Sequence, residues 1–391
     1  MLRRTRTFSL AALTSAAVLG LTIVGTPPAS AGRDHGGGTG TTTTIASELD
    51  NPRQLSFSRS GDLYVAESGE GGAGPCLPDP EDPTAEICFG TSGAITKIST
   101  RGRQSRVVTG LASLAGEGGG SATGPADVAA VGRSLVISMG LGGTPDTRAT
   151  LPPAGRRQLG KLIQTSNGES FRTIADLAAW EARRNPVDDV DSNPVGFLVD
   201  RGRYVVADAG GNTVLSVRPS GRIRLVAVFP TTRTTERPPF IPPPPPPAPD
   251  DGMMPFQEVP TSVATKGHDG AYYVSQLTGF PFPPGRANIY RVDPRTGNTT
   301  IYASGLTNVT DLAFRGRSLY AVQLSTVGLL NTPPNQPPMG SLVKVTPRSS
   351  THTTIKGDLF APYGVALKGD YAYVTVGSVA KDDGQVLKIR L

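Results

Sequence analysis

The 391-residue chain carries 38 Lys and Arg against 32 Asp and Glu, 48 Gly, 36 Pro and two Cys, with 6% aromatic residues. Gly and Pro together exceed a fifth of the chain, roughly double the usual share, which disfavours a helical bundle and suits short strands joined by turns. Only 18% of residues are charged, and the formal net charge of +6 is spread without a Lys/Arg block in the folded part; a solvated charged tail is excluded as the main feature, and so is nucleic acid as the partner.

Arg3, Arg4 and Arg6 precede an apolar run from Phe8 to Val24, followed by Ala29-Ser30-Ala31. A basic region, an apolar region and a small-x-small site predict a secretory signal peptide over residues 1–31, cleaved after Ala31. The alternative is an uncleaved anchor, but the run is at the short limit of about 17 residues for a spanning helix. The expected product is secreted, extracellular and without a transmembrane segment. It is close to neutral, because the leader takes three Arg and no acid with it. Residues 32–40 (GRDHGGGTG) are expected to be a flexible leader. In an oxidising compartment Cys76 and Cys88 are expected to pair as a local disulfide. Two thiols without a nearby His would leave a tetrahedral metal site half empty.

Six segments align: PRQLSFSRSGDLYVAE from Pro52, PADVAAVGRSLVISM from Pro125, PVGFLVDRGRYVVAD from Pro194, PTSVATKGHDGAYYVSQ from Pro260, VTDLAFRGRSLYAVQ from Val309 and PYGVALKGDYAYVTV from Pro362. Each is an apolar strand, a tight Gly-containing turn and a second alternating strand, with 11 to 13 residues from the start to a shared central position. A third strand recurs at 93, 160, 212, 287, 340 and 384, and a fourth at 105, 170, 223, 299 and 352. The last copy lacks a fourth strand, and TTTTIASEL (41–49) has the fourth-strand pattern without the first three strands before it. Period-two alternation rich in Val, Ile, Tyr and Thr argues for strands. The predicted fold is all-β, a six-bladed β-propeller of four-stranded antiparallel blades closed by the N-terminal strand completing the last blade. Residues 41–391 form one domain, with blades near 50–111, 112–177, 178–230, 255–306, 307–359 and 360–391 plus 41–49, and a Pro-rich loop at 231–254.

The chain spends about 60 residues per repeat where a four-stranded blade needs about 40–45. The excess falls between strands 2 and 3 or between blades, and those connections emerge on one face. Functional groups concentrate on loops held by a rigid scaffold, so this loop-rich face around the axis is the expected functional face. Residues 238–249 (PPFIPPPPPPAP) favour extended polyproline II, a stiff spacer. ADLAAWEARRNP (175–186) is the one clear helical stretch, stopped at Asn185-Pro186, and its Trp180 is expected to pack rather than bind.

The column two residues after each repeat start reads Gln54, Asp127, Gly196, Ser262, Asp311, Gly364. Asp127 and Asp311, from opposite blades, could hold Ca²⁺ or Mg²⁺ with Gln54, Ser262 and backbone carbonyls; the other reading has each carboxylate bonding neighbouring backbone. The column ending strand 2 contributes Glu67, Asp208, Gln276 and Gln323. Asn51, Asn193 and Asn308 precede first strands, and Tyr363 opens the last repeat. Gln54, Glu67, Asp127, Asn193, Asp208, Ser262, Gln276, Asn308, Asp311, Gln323 and Tyr363 are the candidate ligand-binding set. Of three histidines, His35 lies in the leader, His268 in a turn and His352 at the start of an outer strand, so no Ser-His-Asp, Cys-His or H-E-x-x-H set assembles.

Single blades, especially NPVGFLVDRGRYVVADAGGNTVLSVRPSG (193–221), resemble the NHL-type propeller repeat. The chain over 41–391, with DLAAWEARRNP followed by DSNPVG, resembles the ScyD/ScyE family of secreted propellers. That resemblance implies the fold and export, and no established reaction. Propellers of the gluconolactonase and strictosidine-synthase type use an axial metal or a Glu, and streptogramin lyases a His with a metal; this chain offers no axial His. The expectation is therefore an exported monomeric binding or scaffold protein for a small molecule, glycan or protein. The alternative is a hydrolase or lyase with an axial divalent cation.

Overall fold

The computed structural model describes residues 41–79, 85–187, 189–235, 252–333 and 336–391. The segments predicted as signal peptide (1–31), leader (32–40) and polyproline tract (238–249) lie outside the described residues. Six sheets each hold an antiparallel run of four strands. Sheet 1 comprises Pro52–Phe57, Leu63–Glu67, Glu86–Ile98 and Gln104–Ala115, with Gly74–Pro78 added alongside the third strand. Sheet 2 is Pro125–Val131, Ser134–Met139, Lys161–Thr165 and Arg172–Asp176; sheet 3 is Pro194–Asp200, Arg203–Asp208, Thr213–Val217 and Ile223–Val228. Sheet 4 is Pro260–Ala264, Tyr272–Gln276, Ala287–Val292 and Thr299–Leu306; sheet 5 is Val309–Arg315, Ser318–Gln323, Met339–Val345 and Thr353–Phe360. Sheet 6 takes Val365–Lys368, Tyr371–Val376 and Gly384–Arg390 from the end of the chain and Thr42–Leu49 from its beginning. The register of that last pair runs from Thr42 opposite Ile389 to Leu49 opposite Gly384. A two-stranded ribbon, Thr232–Thr234 with Met254–Phe256, completes the seven sheets.

Both faces of the middle strands are buried, and alternation divides their side chains between two neighbours. In Arg203–Asp208, Tyr204 and Val206 pack toward sheet 2, while Val205 and Ala207 pack toward sheet 4. In Tyr272–Gln276, Tyr272 and Val274 join sheet 3, and Tyr273 joins Leu312 and Leu319 of sheet 5. The same division gives cores between sheets 1 and 2 (Ile95, Val128, Ile137) and between sheets 5 and 6 (Val322, Leu342, Val374). A further core joins sheets 6 and 1 through Leu49, Val386, Leu55 and Val65. Each fully buried Val, Leu or Ile contributes about 1.5–3 kcal/mol, so the stability lies in these sheet-to-sheet layers.

Turns between first and second strands hold two residues in sheets 2, 3, 5 and 6, as tight as the sequence predicts, and run to five in sheet 1 and seven in sheet 4. Asp200 pairs with Arg203 around Arg201 and Gly202, at φ 46° and 74°, the backbone a two-residue primed hairpin turn requires. The predicted helix spans Leu177–Arg184, with the Asp176 side chain accepting from Ala179 N and Asn185 closing it. Trp180 is partly buried against the core between sheets 2 and 3. Two short helices, Pro145–Ala149 and Pro153–Gln158, occupy the loop of 139–159 and are not anticipated from periodicity, since five or six residues show too little of it. Each has Pro at its N-terminus, where the missing N–H costs nothing.

The third strand of sheet 1 starts at Glu86, earlier than its pattern at 93 suggests. The added length pairs with Gly74–Pro78, and the chain approaches so closely there that a Cβ on Gly90 would lie 1.8 Å from the Gly71 carbonyl oxygen. Cys76 and Cys88 are disulfide-bonded across this extension. Among the described residues no helix is long and apolar enough to cross a membrane.

Candidate functional site

Five first strands break register with their second strand at one place: between Pro52 and Leu55, Pro125 and Asp127, Pro194 and Phe197, Pro260 and Val263, and Val309 and Asp311. A β-bulge there re-aims side chains that would otherwise alternate strictly across the sheet. The re-aimed column is the one holding Gln54, Asp127, Gly196, Ser262 and Asp311. Gln54 of sheet 1 donates from Nε2 to the carbonyls of Thr261 (3.1 Å) in sheet 4 and Thr310 (3.0 Å) in sheet 5. A Cβ on Gly196 would lie 2.4 Å from Gln54 Oε1, so glycine makes room for the amide. The first strands therefore meet around a buried glutamine.

The two aspartates link neighbouring sheets. Asp127 accepts from Val128 N (2.7 Å) and, across the gap, from Phe197 N of sheet 3 (2.9 Å). Asp311 accepts from Leu312 N (2.8 Å), from Ser262 Oγ of sheet 4 (2.6 Å) and from Val365 N of sheet 6 (2.7 Å). Burial raises both carboxyls, Asp127 well above the usual carboxylate range and Asp311 to about 7; backbone N–H donors oppose the shift, and the Asp311 charge adds to it at Asp127. All four oxygens are engaged by protein donors, and among the described residues no three His, Cys, Asp or Glu side chains group as a metal site.

Above this junction, on the loop-rich face, the column one residue earlier contributes Arg53, Ala126, Val195 and Tyr363 to a small cup with Ser68, Ser121, Ala122, Leu277, Leu324 and Val379. Its volume is about 70 Å³, enough for a few waters or one functional group. Half-buried Arg53 donates from NH2 to the Ala122 carbonyl (2.6 Å) and from Nε to Ser68 Oγ (3.2 Å), with its guanidinium carbon 4.7 Å from the Tyr363 ring centroid. Among the described residues no carboxylate forms an ion pair with Arg53, and the buried Ser121 hydroxyl in the same wall has no hydrogen-bond partner. Burial pulls the Arg53 guanidinium below its ordinary value, and burial likewise raises the Tyr363 phenol. An arginine keeps its charge under such a shift. Arg53 is outside the sequence-based set, since it lies one residue before the column of Gln54, Asp127 and Asp311. The signal was present: Arg53 and Tyr363 are the only long polar side chains among Arg53, Ala126, Val195, Thr261, Thr310 and Tyr363.

Of the other candidates, Asn193 reaches the cup and accepts from Leu141 N (3.2 Å). The column ending the second strands faces its own sheets instead. Glu67, Asp208 and Gln323 each accept a backbone N–H just before their first strand, from Asp50 (2.9 Å), Asn193 (2.7 Å) and Thr307 (2.7 Å). Gln276 accepts from Asn288 N (2.8 Å). Glu67 is fully buried against Arg106 (2.7 Å), which also bonds Asp50 (2.8 Å) and the Glu48 carbonyl (3.2 Å). Burial raises Asp208, opposed by Ser192 and backbone donors. Asn308, at φ 44°, donates to the Leu277 carbonyl (2.9 Å). The structure thus gathers Gln54, Asp127, Ser262 and Asp311 at the junction and Asn193 and Tyr363 at the cup, and leaves the rest as loop anchors.

No family model matches the chain, and no curated protein does. Similar solved structures include a virginiamycin B lyase from Staphylococcus aureus, at 11% identity over 90% of this chain and 99% of that one, with a TM-score of 0.45. A gluconolactonase from Xanthomonas campestris is 9% identical over 89% of both chains, TM-score 0.49. A protein of unknown function from Bacteroides thetaiotaomicron is 8% identical over 89% of this chain and 75% of that one, TM-score 0.48. At such identities the chemistry of those proteins stays with them.

Proposed function

We propose that the six sheets are the blades of a closed six-bladed β-propeller, exported and ScyD/ScyE-like, which acts as a binding module through the cup at its loop-rich mouth. Support for closure comes from strand Thr42–Leu49 pairing with Gly384–Arg390 and from the core joining sheets 6 and 1. Support for an oxidising compartment comes from the Cys76–Cys88 disulfide. The observation carrying the binding reading is Arg53, half-buried in the cup on the face of Tyr363 with no carboxylate paired to it among the described residues. A guanidinium so placed selects a carboxylate or similar planar anion.

The size of the cup favours one group over a whole small molecule, since ligand pockets run to about 300–1,000 Å³. The ligand is then an acidic group projecting from something larger, such as a uronate of a glycan. Calorimetric titration with a uronate oligosaccharide and its neutral counterpart tests this. Binding of the acidic sugar alone, weakened at least about tenfold in Arg53→Met by loss of a charge-assisted bond, supports it. Equal binding of both sugars, or an unaffected Arg53→Met variant, contradicts it.

A further inference from the structure

Away from the mouth, helix Leu177–Arg184 lays Glu181 against the turn joining the second and third strands of sheet 3. Glu181 is fully buried, and neither carboxylate oxygen has a hydrogen-bond partner. An ionised carboxylate left in this state is among the costliest arrangements a protein interior holds. The charges acting on it are those of Asp208, Asp191 and Asp189, with no cation among them. Close by, the fully buried Thr213 hydroxyl is also without a partner.

Two glycines hold these groups together. A Cβ on Gly211 would lie 3.2 Å from Glu181 Cγ, 3.4 Å from Thr213 Oγ1 and 3.5 Å from the Asp191 carbonyl oxygen. One on Gly210 would lie 2.8 Å from both Asp191 Cγ and Oδ2. Glu181 Cγ, Thr213 Oγ1 and the Asp191 carbonyl oxygen thus lie within 3.5 Å of one point beside Gly211, and the absence of side chains at 210 and 211 is what lets these groups approach one another. The frame around it is fixed from outside. Arg148 grips Asp176, the helix cap, through both oxygens at 2.8 and 2.9 Å, and Asn185 Oδ1 accepts from Val187 N (3.3 Å) and Asp189 N (3.1 Å).

We propose that Glu181, Asp191 and Thr213 hold a calcium ion, with Asp208 and Asp189 as neighbouring negative charge. The donors are all oxygen, which selects a hard cation over Zn²⁺ or Cu²⁺. Several protein oxygens from three segments of chain suit the 6–8 ligands and loose geometry of Ca²⁺ better than the small, water-retaining Mg²⁺. The site is distinct from the axial Asp127–Asp311 pair, whose oxygens already accept protein donors.

The experiment is calorimetric titration of Ca²⁺ into chelator-treated protein, paired with Tb³⁺ emission excited through Trp180, the sole tryptophan and the residue before Glu181. One saturable site is expected, with sensitised Tb³⁺ emission that Ca²⁺ displaces and Mg²⁺ at equal concentration does not. Glu181→Gln should weaken Ca²⁺ at least tenfold, and Asp127→Asn should bind as the parent does. The Tb³⁺ measurement on the unaltered protein keeps the test decisive if Glu181→Gln fails to fold. Absence of binding, unchanged affinity in Glu181→Gln, or loss confined to Asp127→Asn overturns the assignment.

Discussion

The side-chain amide of Gln54, in the first sheet, donates at 3.0 Å to the backbone carbonyl of Thr310, in the fifth, across 256 residues of sequence. The same nitrogen reaches the Thr261 carbonyl of the fourth sheet at 3.1 Å. One glutamine therefore satisfies two carbonyls from sheets remote from its own, at the point where the first strands converge. Gln54→Ala strands both carbonyls without a donor in a buried place. Each unsatisfied group costs about 1–3 kcal/mol, so the variant should lose about 2 kcal/mol or more in a urea titration. A loss below about 0.5 kcal/mol, the level of an ordinary surface change, would show that the amide is not the plug described.

Gly196 tests the same junction from the other side. Its missing Cβ would sit 2.4 Å from Gln54 Oε1 and 2.6 Å from the Thr261 carbonyl oxygen, and the second of these is backbone that cannot swing away. Gly196→Ala should destabilise by about 1–3 kcal/mol, the usual cost of overpacking. Combined with Gln54→Ala, part of that cost should return, because one of the two obstructions is gone.

Asp311 predicts a pH dependence of definite sign. Burial raises its folded-state carboxyl to about 7 from an unfolded value of 3.8. Between those values the folded state holds a proton that the unfolded state has released, so this group's contribution is fully present below the unfolded value and is lost as pH rises toward 7. The full difference corresponds to at most about 4 kcal/mol. Stability measured from pH 4 to 7 should fall more steeply in the parent than in Asp311→Asn. Parallel curves would remove Asp311 as a titrating group.

Glu67 anchors the beginning of the chain. Its fully buried carboxylate holds Arg106 at 2.7 Å, and Arg106 in turn bonds Asp50 and the Glu48 carbonyl, where Thr42–Leu49 ends. Breaking a buried ion pair costs about 3–5 kcal/mol, and the partly exposed Arg106 side chain lowers the figure to about 2 for Glu67→Gln. Limited proteolysis should then cut near residues 48–50 sooner than in the parent.

Much of this architecture is legible in the sequence. The apolar positions of each repeat alternate with period two on both faces of the middle strands, which is why Tyr204 and Val205 could be assigned to strands although they pack in different layers. The column of Gln54, Asp127, Ser262 and Asp311 could be picked out by spacing alone. What spacing cannot convey is the bulge between Pro52 and Leu55 that turns Gln54 inward and leaves Arg53 facing the mouth beside Tyr363. Glu181 is not legible in the sequence for a related reason. Its helix is short and reads as packing around Trp180, and the space beside it exists only because Gly210 and Gly211 approach from sheet 3.

The shared mouth depends on the two ends of the described chain meeting in one sheet, and a cysteine pair reports on that directly. Thr43 lies opposite Lys388 in the register of the joined strands, and the protein's two native cysteines are already bonded to each other. In the double variant Thr43→Cys with Lys388→Cys, oxidation should close a second intramolecular disulfide and raise the melting temperature. Two free thiols at positions 43 and 388, with the Cys76–Cys88 bond formed, would contradict the closed arrangement.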